Sequence, residues 1–233
     1  MATRSTAPRN ATSTLTQEQV ILAALAFIDE HGLEAFSMRN LAKALGVYPT
    51  ALYWHAGNRD GLLGYAIGRA LLEIEPPDDQ QPWDGWLAGF ARGFRATMHR
   101  HPNLAPIVGS QMVTRSLTEF HIVEMILAKL HEAGFRDDDL VDAYNAVTGS
   151  VVGFVSVELA RLPDDPSWQE AMEGEIRGSS AATMPHLAAN APRLANRAFG
   201  LRWVPVEEAP LDGGFELMLT GILGGLRDRL AQA

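Results

Sequence analysis

Apolar residues recur along this chain at intervals of three and four, which predicts helices from one end to the other and an all-α fold. Val20, Ile21, Ala24, Leu25, Phe27 and Ile28 make the first stripe. Thr16, with Gln19 three residues on, forms a capping box that opens this helix, and Gly32 is placed to end it. Ser37 is set to cap a second helix, Met38 to Leu45, in which Met38, Leu41, Ala42 and Leu45 share a side. Gly46 closes it, Val47 and Tyr48 turn the chain, and Pro49 suits the first position of a third helix. Asn58 caps a fourth, expected to run through Leu62, Leu63, Ile67 and Leu71 as far as Glu75, before the Pro76-Pro77 break. Ahead of all this, residues 1–14 are rich in Thr, Ser, Ala, Pro and Asn and are expected to be a disordered arm.

The pattern continues with longer helices. Trp83, Trp86, Leu87, Phe90, Phe94 and Met98 form a stripe ending near His101-Pro102. A second helix spans about Leu117 to Ala133, with Phe120, Val123, Ile126, Leu127 and Leu130. A third begins at Asp137 to Asp139 and is expected to reach Leu162. Residues 163–211 contain repeated prolines and read as loops with short helices, and Phe215 to Leu230 closes the chain. Two helices carry glycines four apart, Gly149 with Gly153 and Gly221 with Gly225. Each glycine costs a helix interior about 1 kcal/mol against alanine, so such pairs imply close approach of another backbone, within the chain or from a second copy. Helix lengths divide the chain into a head, residues 15–64, and a body, residues 65–233.

Composition narrows the class. With 233 residues and 47% hydrophobic content the chain can bury a large core, and 20% charged residues is ordinary globular usage. There is no cysteine, which excludes disulfides and thiolate zinc sites. The first residues lack the apolar core of a signal peptide. The apolar run Ala143 to Ala160 contains Asn145, Thr148, Ser150, Ser156 and Glu158, and is expected to be too polar and too short to span a bilayer. A soluble, cytoplasmic protein with no membrane partner is expected. The net charge of −9 argues against nucleic acid until its distribution is considered. Residues 1–60 balance Arg4, Arg9, Arg39, Lys43 and Arg59 against Glu18, Asp29, Glu30, Glu34 and Asp60. A neutral head on an acidic body can hold phosphate if its cations share a face.

The stretch GVYPTALYWHAGNRDGLL, residues 46–63, supplies the candidate chemistry. Helices two and three, joined by a glycine turn, have the plan of a helix-turn-helix. On the third, Leu52 and Ala56 can face Leu41, Leu45 and Val47. Pro49, Thr50, Tyr53 and Trp54 are left on the other side, with the methyls, hydroxyls and aromatic edges that read a major groove and its phosphates. Arg39 and Arg59, each near a helix N-terminus, flank that face. Burial of Tyr53 or Trp54 in a small core is the competing reading, and His55 reads more readily as structural than as a base reader.

Residues 16–63, and above all FSMRNLAKALGVYPTALYWHAGNRDGLL, resemble the DNA-binding domain of the tetracycline-repressor (TetR) family of transcriptional regulators. The opening WDGWL at residue 83 is more loosely similar to a C-terminal domain of that family. The resemblance implies that Arg39 meets a base edge or phosphate, that Tyr48, Pro49, Thr50 and Ala51 read bases, and that Tyr53 and Trp54 grip the backbone; His55, beside them, is counted with the DNA-binding residues. Arg59 would take the place of a phosphate-binding lysine. It also implies a homodimer built from the last two long helices, with Gly149, Gly153, Phe215, Gly221, Ile222 and Gly225 at the interface. The partners implied are double-stranded DNA carrying a palindromic operator and a small-molecule effector.

The family's tetracycline-binding members chelate magnesium through a histidine and a glutamate. The histidine's place falls near Ile107-Val108 and Glu158 lies near the glutamate's, so tetracycline–magnesium recognition is not carried over. The expected effector is apolar or aromatic, held by Phe90, Phe94, Met98, Met112, Phe120, Met125, Tyr144 and Phe154; ordinary core is the competing reading for each. No metal site or cofactor is expected. His99 and His101 diverge by about 200° on a helix; His121, His131 and His186 stand apart. No phosphate loop, hydrolase elbow or carboxylate pair is present. A ligand-responsive repressor, not an enzyme, is therefore expected; the alternative is a helical small-molecule-binding protein or enzyme with a vestigial helix-turn-helix.

Overall fold

A computed structural model describes residues 15–111, 117–163, 165–178, 180–205, 208 and 210–232. Among them are eleven helices and no strand: α1 (Gln17–Ala35), α2 (Met38–Leu45), α3 (Pro49–Ala56), α4 (Arg59–Leu71), α5 (Trp83–Arg100), α6 (Ala105–Gln111), α7 (Leu117–Ala133), α8 (Asp137–Glu158), α9 (Pro166–Arg177), α10 (Pro185–Leu194) and α11 (Asp212–Gln232). The all-α expectation holds. The chain divides into two compact units between Ala66 and Ile67, inside α4. The expected arm, residues 1–14, lies outside the described residues.

Local chemistry sets the boundaries of the N-terminal unit. Thr16 Oγ accepts from the Gln19 N–H (3.2 Å) while Gln19 Oε1 accepts from the Thr16 N–H (2.9 Å), closing the box at the start of α1. Gly32, at φ 76°, breaks the helical path as expected, although a last turn continues to Ala35. Ser37 Oγ caps α2 through the Asn40 N–H (3.1 Å). Gly46 then takes the left-handed conformation, φ 66° and ψ 28°, which lets the Val47 N–H donate to Ala42 O (3.0 Å) and turns the chain into α3. Val20, Ala24, Leu25, Ile28, Leu41, Leu52 and Ala56 are buried where α1, α2 and α3 pack together. Asn58 Oδ1 accepts from the Gly61 N–H (2.7 Å) and starts α4.

Three helices end or begin away from the expected residues. α4 stops at Leu71: the N–H groups of Glu73 and Ile74 reach back only three residues, to Ala70 O (3.0 Å) and Leu71 O (3.2 Å). Pro76 bars the residue before it from helical geometry, so Glu75 cannot extend the helix. α8 ends at Glu158, short of Leu162, which Pro163 likewise pushes out of the helical region. α11 starts earlier than Phe215, at Asp212.

In the C-terminal unit α5 is central, with Trp86, Leu87, Phe90, Ala91, Phe94 and Met98 buried and Trp86 stacked on Phe90 (5.3 Å). α5 packs on α7 and α8, and α8 also packs on α6, α7 and α11. The chain after α4 crosses α5 at two glycines. A Cβ on Gly89 would stand 2.9 Å from Pro77 Cγ, and one on Gly93 would stand 3.2 Å from Ile74 Cγ2. These glycines, unremarked in the sequence pattern, let the 74–77 segment lie directly on the helix backbone. α8, at 22 residues, is long and apolar enough to cross a bilayer by length and composition, which corrects the expectation of a shorter, more polar run. Its Ala143, Val147, Val151 and Val155 side is packed inside this unit.

Gly46 provides a direct check. An added Cβ meets nothing within 4 Å, so Gly46→Ala tests backbone conformation alone. Holding an L-residue in the left-handed region costs roughly 1–2 kcal/mol. The denaturation midpoint of the N-terminal unit should fall accordingly; an unchanged midpoint would mean that the turn does not require glycine.

Candidate DNA-reading face and effector cavity

α3 divides its side chains cleanly. Leu52 is 0% exposed and Ala56 8%, whereas Tyr48 is 83%, Tyr53 50% and Trp54 88% exposed. Thr50 is exposed beside them, and Pro49, Ala51 and His55 are half-buried. Tyr53 and Trp54 are thus on the surface, which removes the competing core reading for both. The His55 carbonyl accepts from Gln17 Nε2 (2.9 Å), tying the end of α3 to α1. Arg39 and Lys43 are exposed on α2, and neither has an ion-pair partner among the described residues.

Arg59, expected at a phosphate, also makes contacts within the N-terminal unit. Its Nε donates to Phe36 O (3.1 Å), Nη2 lies 3.5 Å from Leu33 O, and the guanidinium sits over the Phe36 ring at 5.6 Å. Nη1 is 3.5 Å from Asp60. The Phe36 carbonyl, just past the end of α1, holds this cation as a brace across the unit.

The C-terminal unit contains a partly open cavity of about 100 Å³. Its walls come from Ile67 and Leu71 of α4 with Ile74 beyond it; from Leu87, Phe90, Ala91 and Phe94 of α5; and from Val108 of α6. Ile122, Val123 and Ile126 of α7, and Tyr144, Val147, Thr148, Val151 and Val152 of α8, complete it. Phe90, Phe94 and Tyr144 of the expected effector set line this space. The others do not. Met98 is fully buried in core, Met125 is half-buried outside the lining, and Phe120 is 61% exposed. Phe154 packs edge-on against Phe199 (4.9 Å) and Phe215 (5.5 Å), and Met112 lies outside the described residues. Most of the real lining is aliphatic and β-branched, a signal that helical spacing cannot separate from ordinary core.

Just past α4, Glu73 gathers two arginines and a histidine. Arg100 Nη2 lies 3.2 Å and His101 Nε2 3.3 Å from its Oε2, and Arg69 Nη1 lies 3.7 Å from Oε1. Burial would raise the Glu73 pKa, but these partners hold it below the usual value. The clamp ties the turn after α4 to the end of α5, next to the start of α6.

Glu158 is more deeply placed. Its carboxylate is 0% exposed, accepts from Arg95 Nη2 (2.6 Å) and Nε (2.9 Å), and lies 3.3 Å from His99 Nε2. Arg95 also reaches Asp212 (2.7 Å), and Arg202 Nη1 donates to Glu158 O (2.6 Å). Burial alone would raise the Glu158 pKa; Arg95 and His99 overcome it and hold the group at about 2. With its oxygens occupied by an internal cation this glutamate does not suit a metal, and no metal-binding cluster of His, Cys, Asp and Glu occurs among the described residues.

The glycine pairs face outward. Among the described residues nothing lies within 4 Å of a Cβ built on Gly149, Gly153, Gly221, Gly224 or Gly225, so close packing against those residues does not explain them. Ile222 is half-buried beside them, and Leu217 is 75% exposed on α11. Phe215 departs from the expected interface set: it is 0% exposed, held in the core beneath Arg95.

Residues 20–66 match the family described as bacterial regulatory proteins, tetR family, and residues 75–230 match the tetracyclin repressor-like C-terminal domain. An HTH-type transcriptional regulator of Saccharopolyspora erythraea is 31% identical over 216 residues, covering 89% of this chain and 84% of that protein. The class C tetracycline repressor protein of Escherichia coli is 31% identical over 217 residues, covering 91% and 90% respectively. Among solved structures, ActR of Streptomyces coelicolor in complex with actinorhodin superposes with a TM-score of 0.71 at 25% identity, over 92% of this chain and 96% of that one.

The buried ion pair generates an acid signature. A carboxyl held at about 2, against an ordinary 4.5, contributes stability that is present above pH 4.5 and lost as pH falls toward 2. Arg95→Ala should cost about 3–5 kcal/mol at neutral pH and flatten the acid dependence of stability in that window. Equal acid profiles for the two proteins would show that the pair is not what holds this end of α8.

Proposed function

The chain belongs to the TetR family of ligand-responsive, DNA-binding transcriptional regulators, and on that premise we propose that it is a repressor released from a palindromic operator when a small apolar or aromatic molecule fills the cavity of the C-terminal unit. One observation carries the reading: the cavity is walled in part by Ile67 and Leu71, which belong to the same helix whose first half completes the DNA-binding unit. Tyr48, Thr50 and Trp54 supply the base-reading and backbone-gripping face, with Arg39 and Lys43 as its cations. A vestigial head would have no reason to keep a tryptophan 88% exposed.

The open glycine faces of α8 and α11 support a homodimer formed by these helices, with Gly149, Gly153, Gly221, Gly225 and Ile222 in the contact and Leu217 added to it. Two copies of α3 then meet two half-sites. The protein acts without catalysis, cofactor or metal, in the cytoplasm where its operator is. ActR holding actinorhodin supports a ligand site in a body of this shape. Effector bound in the cavity displaces its α4 wall, and the Glu73 clamp carries the shift between the ends of α4 and α5. Coupling of this kind is worth about 1–3 kcal/mol, so effector should weaken operator binding by about 5–150-fold.

Three outcomes test this reading. Operator selection from random DNA should return an inverted repeat with half-sites about 34–36 Å apart; direct repeats or isolated half-sites would contradict the dimer. Arg39→Ala should flatten the dependence of log affinity on log salt by about one unit. Arg59→Ala should leave that slope unchanged and lower the stability of the N-terminal unit, because its guanidinium braces Phe36 and Leu33; a flatter slope would return Arg59 to the DNA.

A further inference from the structure

The cavity is uncharged on every side. Its polar side chains are Tyr144 and Thr148, one turn apart on α8. Thr148 donates its hydroxyl proton to Tyr144 O (2.7 Å), within its own helix. The Tyr144 phenol is half-buried, and its hydroxyl has no hydrogen-bond partner among the described residues. Burial pushes its pKa above the ordinary value, so the group remains a neutral donor. The charged clusters, Glu73 with Arg100 and Glu158 with Arg95, do not line the space. An ionised ligand would therefore surrender its hydration without a counter-ion, while a pure hydrocarbon would make no use of the tyrosine proton.

Resting on the reading of this cavity as the effector site, we infer that the effector is an uncharged, hydrocarbon-rich molecule bearing a carbonyl-type acceptor oxygen, which takes a hydrogen bond from the Tyr144 hydroxyl. That bond selects the effector from hydrocarbons of the same shape, since a site built to hydrogen-bond a ligand rejects the analogue that lacks the partner. The space, about 100 Å³, is close to single-ring size before any wall moves. Acetophenone is therefore a suitable probe. In α-methylstyrene a methylene replaces its carbonyl oxygen, and in benzoate a carboxylate replaces the acetyl group.

The test titrates the full chain and its Tyr144→Phe variant with each of the three, following the methyl resonances of Val147 and Val151 to locate binding in the cavity. Acetophenone should bind the native chain about tenfold more tightly than α-methylstyrene, the effect of one neutral hydrogen bond. Tyr144→Phe should abolish the difference by weakening acetophenone alone, with α-methylstyrene reporting that the cavity is intact. Benzoate should be the weakest ligand of both proteins. Acetophenone binding equally to both proteins, loss of α-methylstyrene binding in the variant, or preferential binding of benzoate would overturn the inference while leaving the cavity as a ligand site. If none of the three shifts the cavity methyls of either protein, the effector-site reading fails, and the inference with it.

Discussion

α4 divides its side chains between two sets of neighbours, and this division constrains everything else. Leu62, Leu63 and Ala66 are buried residues of the N-terminal unit, while Ile67 and Leu71 form part of the cavity wall in the C-terminal unit. The segment after α4 is held firmly. Ile74 and Pro77 lie on the bare backbone of Gly93 and Gly89, and Glu73 is clamped by Arg100, His101 and Arg69. One helix thus contributes residues both to the N-terminal unit and to the cavity wall.

The charge distribution follows from the same economy of parts. An acidic chain can bind DNA only where its few cations are free, and the structure leaves Arg39 and Lys43 free while committing Arg59 to the carbonyls of Leu33 and Phe36. Arg95 is likewise committed, to Glu158. It neutralises that buried carboxylate from within, so the interior holds an ion pair with its hydrogen bonds made. What remains for a ligand is a space without charge.

Features fixed by near neighbours were legible in the sequence. The Thr16–Gln19 box, the Ser37 and Asn58 caps, the Gly46 turn and Pro49 at the start of α3 depend on residues a few positions apart, and the structure places each as the local chemistry requires. Helix ends near prolines were overextended because the restriction falls on the residue before the proline. Residues of the site were harder to read. A stripe of apolar side chains shows that a helix face is buried and does not show whether it faces a neighbour or a void. Met98 and Phe154 thus looked the same as Phe90 and Phe94, and Ile67, Leu71 and Val151 carried no distinguishing mark. Phe215 and Gly221 lie on the same helix with opposite exposure, a difference of side that spacing alone did not assign. Gly89 and Gly93 passed unmarked, because their role depends on a segment that crosses them in space.

The most direct measurement needs no effector. Ala91 is 3% exposed and lines the cavity from α5. Ala91→Trp introduces more bulk than the void of about 100 Å³ can hold, so the walls must move as they would around a bound ligand. Helix content and the melting transition establish that the variant is folded, and operator affinity is then compared with the native chain. A folded variant whose operator affinity is lowered by about 5–150-fold is the result expected if cavity and operator share α4. A folded variant with native operator affinity would contradict that account.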